Sequence, residues 1–543
     1  MSSTARTRVP ATGRRPDPWV VGVSCGLLVA FVLAALMAPQ WVGETVDTAF
    51  AWSANWFGAF WQILLLATVV IATILAFSRY GRVRMGGDEA PGFSWFRWVA
   101  MVLTTLLAAG GVFWAAAEPI AHYVDPPPQY GDLSGGMEGA SYALAQSFVH
   151  WGFPAWAIGG SLATLVMMRG VEKGMPLRPR TLLWPVMGER VRTHWIGTVA
   201  DISCVVAVVA GTVGPIGFLG LQVSYIGSEM FGMGSGFGTQ VAVIVGLTAV
   251  ATISVLSGLN RGIQLLSRIN VWAALVLIVS IVGLSSLPYV VDLFLQSSAV
   301  HVREFVPMTL FRGDEEWLGY WTVFFFGWFI GYAPIMAIFI ARISKGRTVR
   351  QIYVGATVLP AVVTGVWFTA LGGSGLWLEQ RDPGAISGPY AEHGLPAAAL
   401  SIVQALPLST VLALIMVVVT LVFFAATMDA MSYSISSSSM HSGEPFWWVR
   451  AFWCVGMGSA AVVLLTVGDN GVEALQSFIV VTAVPVGLIL APTLWSAPRL
   501  LREMAVEQGI VTAHAPRSAV GAPEADPDDG PVGAASGEGH LSR

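Results

Sequence analysis

Twelve apolar runs of bilayer-spanning length limit this chain more than any other feature. They lie near residues 18–38, 54–78, 97–121, 141–168, 195–220, 238–257, 268–290, 318–341, 350–376, 407–432, 449–467 and 474–496. Crossing a bilayer core takes about 20 apolar residues in a helix. Lipid offers no partner to backbone N–H and C=O groups, so each run must satisfy its own hydrogen bonds as a helix. The runs therefore predict an all-α polytopic membrane protein. Composition agrees: 55% of residues are hydrophobic and 11% charged, against about 25% charged in soluble domains. The first run follows Arg6, Arg8, Arg14 and Arg15 like a signal peptide. It is longer than a signal core and has no convincing cleavage site, so we read it as span one.

Basic residues set the orientation. With the N-terminus in the cytoplasm and strict alternation, all of the 28 Lys and Arg fall inside except Arg303, Arg312 and Arg381. A wrong span count would scramble that split. The expected division is a cytoplasmic N-tail at 1–17, a transmembrane domain at 18–497 and a cytoplasmic C-tail at 498–543. Residues 515–543 are rich in Pro, Gly, Ala and Asp, a composition of disordered chain. The outer segment 298–317 reads equally as an amphipathic surface helix or a solvated loop. A net charge of −4 with scattered basic residues argues against a nucleic-acid partner. Cys25, Cys204 and Cys454 sit in apolar runs and read as small core residues. No phosphate-binding loop, H-E-x-x-H or Cys/His ligand motif occurs, so no cofactor, metal or enzymatic chemistry is expected.

Gly and Pro interrupt two runs. Span eight carries Gly327, Gly331 and Pro334; span three carries Gly110, Gly111 and, further on, Pro119. Spans three and eight are five apart, an odd number. Two five-helix units, spans 3–7 and 8–12, would then have opposite membrane orientation, and broken helices in inverted repeats place a substrate near the midplane. The competing reading is that these residues serve close packing, as the stripe Gly211, Gly214, Gly217 and Gly220 in span five illustrates.

Aromatics sit at the same breaks. Most membrane Trp residues belong to interfacial belts, but Trp151, Trp156 and Trp328 fall inside spans. Trp328 and Tyr332 are four apart and share a helix face. Trp151 and Trp156 do not share a face on an ideal helix, but Gly152 and Pro154 between them can re-aim one ring. Aromatic faces hold a quaternary ammonium, which carries charge but donates no strong hydrogen bond. Among ionisable residues inside spans, which are expensive in lipid, Asp429 reads either as an ion-handling group or, preferably, as a structural acceptor. Glu118 and Asp201 read as gate or cap residues, and His150 as a helix–helix contact.

These residues resemble the betaine/choline/carnitine transporter family over about 18–500. The most specific match is Ala341–Arg350, with Ala117-Glu118-Pro119, His122-Tyr123, His150-Trp151-Gly152 to Trp156, Arg261-Gly262-Ile263-Gln264 and Gly471–Gln476 in support. The resemblance implies the inverted-repeat fold of amino-acid and neurotransmitter symporters, alternating access, a bacterial cell membrane and a homotrimer. It implies a secondary active transporter, symporter or exchanger, for betaine, carnitine, choline or a related onium solute. The alternative keeps the fold and makes the substrate another small solute or amino acid, with the aromatics as packing; a non-transporting sensor is the third reading.

By the same resemblance, Trp151, Trp156, Trp328, Phe329 and Tyr332 are substrate-binding, with Trp114, Met336 and Gly110 beside them. Phe329 stands where many members have Trp, and Gly159 where the betaine type has Tyr, which leaves room for a bulkier cation than glycine betaine. The ion site departs further. Only Gly110 survives of a helix-three glycine run, Val208 and Ala426 replace hydroxyl residues, and Met336 matches a sodium-independent exchanger. Thr212, Thr427 and Asp429 are the remaining ion-site candidates. Sodium prefers hard oxygen ligands, so sodium-independent exchange or weak coupling is expected.

Overall fold

The computed structural model describes residues 15–87, 90–103, 107–131, 133, 135–234, 236–257, 260–442, 444–467 and 471–512. The segment 515–543, where disorder is expected, and most of the N-tail lie outside them. Helices occupy nearly every apolar run. In chain order they are α1 Pro18–Met37, α2 Pro39–Phe77, α3 Trp95–Leu103, α4 Leu107–Val124, α5 Gly136–Trp151, α6 Phe153–Gly160, α7 Leu162–Glu172, α8 Trp195–Phe231, α9 Phe237–Ser257, α10 Asn260–Leu284 and α11 Leu287–Leu310. There follow α12 Phe324–Ile343, α13 Val349–Tyr353, α14 Leu359–Phe368, α15 Ser374–Arg381, α16 Ala398–Gln404, α17 Ser409–Ser438, α18 Trp447–Leu464, α19 Gly471–Leu490 and α20 Thr493–Glu507.

Among the described residues, ten helices are long and apolar enough to cross a membrane, or eleven if one bent pair counts as a single span. The expected third span falls across α3 and α4, between which residues 104–106 are not described. The bent pair is α10 with α11, which meet at 101°. The segment 298–317 is largely helical, lying mostly in α11, whose buried side includes Leu293, Ser297, Val300 and Met308. Of the two readings for that segment, the loop is excluded for 298–310, which is helical.

The expected break in span eight is corrected. Helix α12 runs unbroken through Gly327, Gly331 and Pro334, and the irregularity is a π-turn earlier, at Gly319–Val323. Gly327 faces Trp61 and Val480, and Gly331 faces Ala207, so these glycines admit neighbours rather than bend the chain. Helix α4 likewise runs through Gly110, Gly111 and Pro119. Span four is the one interrupted beside its aromatics, where α5 ends at Trp151 and α6 starts at Phe153. A Cβ at Gly152 would run into the Phe148 carbonyl, so only glycine fits the turn. The stripe on α8 is a packing face: Gly214 meets Ile479, Gly217 meets Leu475 and Gly220 meets Ile244.

The family-specific stretch after α12 is a clasp. Gly346 and Val349 donate to the carbonyls of Met85 and Val83, and Met85 donates to Arg347 O. The Arg347 guanidinium lies 4.3 Å from the Trp98 ring, and Trp98 Nε1 donates to Ser344 Oγ at 3.0 Å. Arg350 Nε donates to Ala76 O, the last turn of α2. A capping box between Thr348 and Gln351 then starts α13. Two further charge groups tie this face together. Asp17, the N-cap of α1, and Asp201 hold Arg178 and Arg180, while Arg169 of α7 binds Glu507 of α20 at 2.6 Å.

Candidate functional site

The break after Trp151 aims its ring at α12. Trp151 stands 5.6 Å from Trp328 and 5.3 Å from Phe329, centroid to centroid, at 79° to both. Trp328 and Phe329 are nearly parallel, 12° apart. All three rings are buried. Two further walls were not anticipated: Phe325, 5.5 Å from Trp151, and Phe368, 5.3 Å from it. The run Phe324-Phe325-Phe326 was visible in the sequence, but nothing there said which of the three rings turns toward Trp151.

Each indole N–H is tied to protein. Trp151 Nε1 donates to Glu118 Oε2 at 2.8 Å, and Trp328 Nε1 donates to Gly211 O at 3.0 Å. Tyr332 Oη donates to the same carbonyl at 3.2 Å and lies 3.1 Å from Thr212 Oγ1, which itself donates to Val208 O. A Cβ on Gly211 would stand 2.7 Å from the Tyr332 ring and 3.3 Å from Trp328. The missing side chain is what lets both aromatics reach α8.

The other expected residues divide. Trp114 belongs to an adjoining cluster: its ring is 5.0 Å from Phe325 and 5.3 Å from Phe218, and its buried N–H has no acceptor. Trp156 is buried in α6 but points elsewhere, donating to Thr364 Oγ1 at 3.1 Å. Met336 packs beside Gly159, where a Cβ would come 2.8 Å from its sulfur. Gly110 lies in α4, and its surroundings are outside the described residues. Thr427 is buried in α17. Asp429 is paired with Arg450 at 2.6 Å, and both side chains are about a quarter exposed, which favours the structural reading.

The rings touch one another, so the cluster encloses no space of its own. A cavity of about 340 Å³ ends against it, with Tyr332 and Met336 at its floor and Arg342, Tyr433 and Ser434 along its walls. A larger groove of about 600 Å³, by Trp377, Arg381 and Gln404, touches none of the expected residues.

Glu118 is not a cap at a span end. It is fully buried between α4 and α5 with His122 and His150. His150 Nδ1 is 2.6 Å from Glu118 Oε1, and His122 Nε2 is 3.5 Å from the same oxygen. No sequence motif joins these three; only the packing of α4 on α5 does.

A helical membrane protein with buried aromatic rings at the end of an inner cavity belongs to the class of solute carriers. The description "BCCT, betaine/carnitine/choline family transporter" matches residues 19–506, and the chain belongs to that family. It is 46% identical to "Glycine betaine transporter 2" of Vibrio parahaemolyticus, over 91% of this chain and 92% of that one. It is 30% identical to "Probable glycine betaine transporter" of Desulfitobacterium hafniense, over 89% and 97%. It is 29% identical to "High-affinity choline transport protein" of Escherichia coli K12, over 87% and 70%. It is a transporter of quaternary ammonium solutes, not an enzyme.

Proposed function

We propose that this chain moves glycine betaine or a close onium analogue across a bacterial cell membrane by alternating access, with Trp151, Trp328 and Phe329 receiving the methylated headgroup. One observation carries the reading. Both indole N–H groups are taken by protein acceptors, so the rings have only their π faces to give a ligand. A π face attracts a cation that cannot hydrogen-bond. The rings must part to admit it, and the cavity below Tyr332 and Met336 is the route by which an inward-open state would release it. The small Gly159 is filled by Met336, which offsets the lost Tyr wall and returns glycine betaine to the candidates. The 46% identical relative's name supports the same substrate.

Twelve spans, both termini in the cytoplasm, two inverted five-helix units and a homotrimer complete the proposal. Support comes from the charge alternation and from the family. The helix breaks give it less, because α4 and α12 run through their glycines and prolines and the interruption at Gly152 falls in span four. Sodium is proposed to be dispensable. Thr212 already serves Val208 and Tyr332, and Asp429 serves Arg450. The test is counterflow in proteoliposomes with labelled glycine betaine, chased by betaine, carnitine or choline. Exchange with one of these and not with amino acids supports the proposal. Binding without exchange would make the protein a sensor.

A further inference from the structure

The cluster of Glu118, His122 and His150 has no part in holding a ligand, yet it touches the residue that does. Trp151 is the last residue of α5, directly before the Gly152 break. Its ring direction is therefore not set by a continuing helix. Its one hydrogen bond is to Glu118 Oε2. The other oxygen, Oε1, receives His150 Nδ1 at 2.6 Å. His150 Nε2 lies 3.0 Å from both Thr322 Oγ1 and Gln146 Nε2. His122 is buried beside them, its Nε2 3.5 Å from Glu118 Oε1 and its Nδ1 without a hydrogen-bond partner among the described residues. A neutral imidazole keeps one nitrogen free to take a proton, here next to a carboxylate and buried.

We propose that Glu118, His150 and His122 form a proton-binding site that competes with the onium headgroup, by controlling how firmly Glu118 holds the Trp151 ring. The inference rests on Trp151 being part of the substrate cage. With no extra proton the cluster carries one negative charge. Glu118 then accepts a charge-assisted hydrogen bond from Trp151, the stronger kind, and its charge favours a cation on the far face of the ring. Adding one proton, from water on whichever side has access, neutralises the cluster and weakens both effects. Onium binding and proton binding are thus linked with opposite sign, and the loaded carrier releases the proton.

The geometry favours a proton over a metal ion. Two ligands of one divalent ion, each at about 2.0–2.2 Å from it, would sit farther apart than 2.6 Å. The titratable groups facing Glu118 are His122 on its own helix and His150 on α5. The start of span eight contributes Thr322, Trp317 and Trp321, which do not titrate. Glu379 of α15 spends its oxygens on Gly384, Ile386 and Ser387. Trp321, 4.4 Å from His122, and Trp317, 5.8 Å from it, cover the site on the outer side, while the cavity is on the inner one.

The test is glycine betaine affinity of the full chain by tryptophan fluorescence from about pH 5.5 to about pH 8.5, for wild type, Glu118→Gln and Trp151→Phe. Coupling between linked sites typically reads as about 5- to 150-fold, so wild-type affinity should fall at least about fivefold toward acid. Glu118→Gln, which keeps an acceptor but not the charge, should give a flat profile. Trp151→Phe, which keeps a ring but not the N–H, should lose most of the slope. Proton release on ligand addition in weak buffer should accompany wild-type binding and vanish in Glu118→Gln. A flat wild-type profile, a slope of opposite sign, or an unchanged slope in Glu118→Gln overturns the proposal. If Trp151→Ala binds as wild type, the cage reading fails instead, and the two failures are distinct.

Discussion

In an 18-residue stretch of Gly136–Glu172 94% of residues are buried, and in one of Pro18–Met37 only 22%, yet the first stretch has a mean hydropathy of 1.2 and the second 2.6. The more apolar segment is the more exposed. In water this order would be reversed; in lipid it follows from the solvent. Lipid tails are as apolar as a leucine side chain, so hydrophobicity does not pull a helix inward. What draws helices together is close packing of small residues and satisfaction of polar ones. Gly136–Glu172 supplies both, with Gly152, Gly159 and Gly160 admitting neighbours and His150 and Gln146 needing partners. The first helix has Gly22 and Gly26 with open space around them and leaves Trp19 exposed.

The largest effect that could break this contrast is loss of a central ring. Trp151→Ala and Trp328→Ala should each weaken onium binding about 30-fold, since a desolvated cation–π contact is worth about 2 kcal/mol. Trp19→Ala and Trp41→Ala, on side chains 71% and 61% exposed, should change it less than about twofold. Equilibrium binding on folded, monodisperse protein decides. If all four behave alike, the buried rings are packing and no cage exists.

Next comes glycine. Gly211→Ala puts a methyl group 2.7 Å from the Tyr332 ring, and overpacking of this kind costs about 1–3 kcal/mol. A drop in thermal stability together with about tenfold weaker binding is expected, because Gly211 also carries the carbonyl that holds Trp328 and Tyr332. Gly22→Ala, with nothing within 4 Å, should be neutral. Differential scanning fluorimetry of the two variants sharpens the comparison to a single methyl group.

Sodium should matter less. Replacing it with potassium is expected to change substrate affinity less than about tenfold, or about 1.4 kcal/mol of coupling. The hydroxyl of Thr212 is already committed to Val208 and Tyr332. A saturating sodium dependence of transport that disappears in Thr427→Ala would show an intact ion site beside the rings.

The smallest effect is expected at the tail. Helix α20 is fastened to α7 by Arg169 and Glu507, but the residues beyond it carry few basic groups to grip anionic lipid. Deleting 515–543 should leave uptake unchanged across external osmolality. A steep osmotic response in the full chain, lost on deletion, would give the tail a regulatory role that its composition does not suggest.

Much of this was legible in advance because it depends on the solvent or on single residues. Lipid demands apolar helices of a set length, so the runs could be read directly, and Trp151, Trp156 and Trp328 stood out as rings inside spans, with Phe329 added by the resemblance. The family resemblance added Met336 and the departures at Gly159 and Val208. What misled was Gly327 with Pro334. A glycine in a membrane helix serves as hinge or packing face with the same sequence signal, and only its neighbours, Trp61 and Val480 for Gly327, choose between them. Trp156 misled similarly, since a ring inside a span can point to any of several helices and this one found Thr364.

The apolar runs, the charge asymmetry between their loops and the aromatic residues within them are properties of the chain alone, and they determine a polytopic membrane protein; the onium substrate class came from the family resemblance. The meeting of Glu118 with His150 and Trp151, of Gly211 with Trp328 and Tyr332, and of Asp429 with Arg450 was decided by tertiary structure. These pairs join residues 21 to 121 positions apart. Hydropathy is a sum over neighbours in sequence, whereas a buried polar group must find its partner on whichever helix the packing brings within hydrogen-bonding distance.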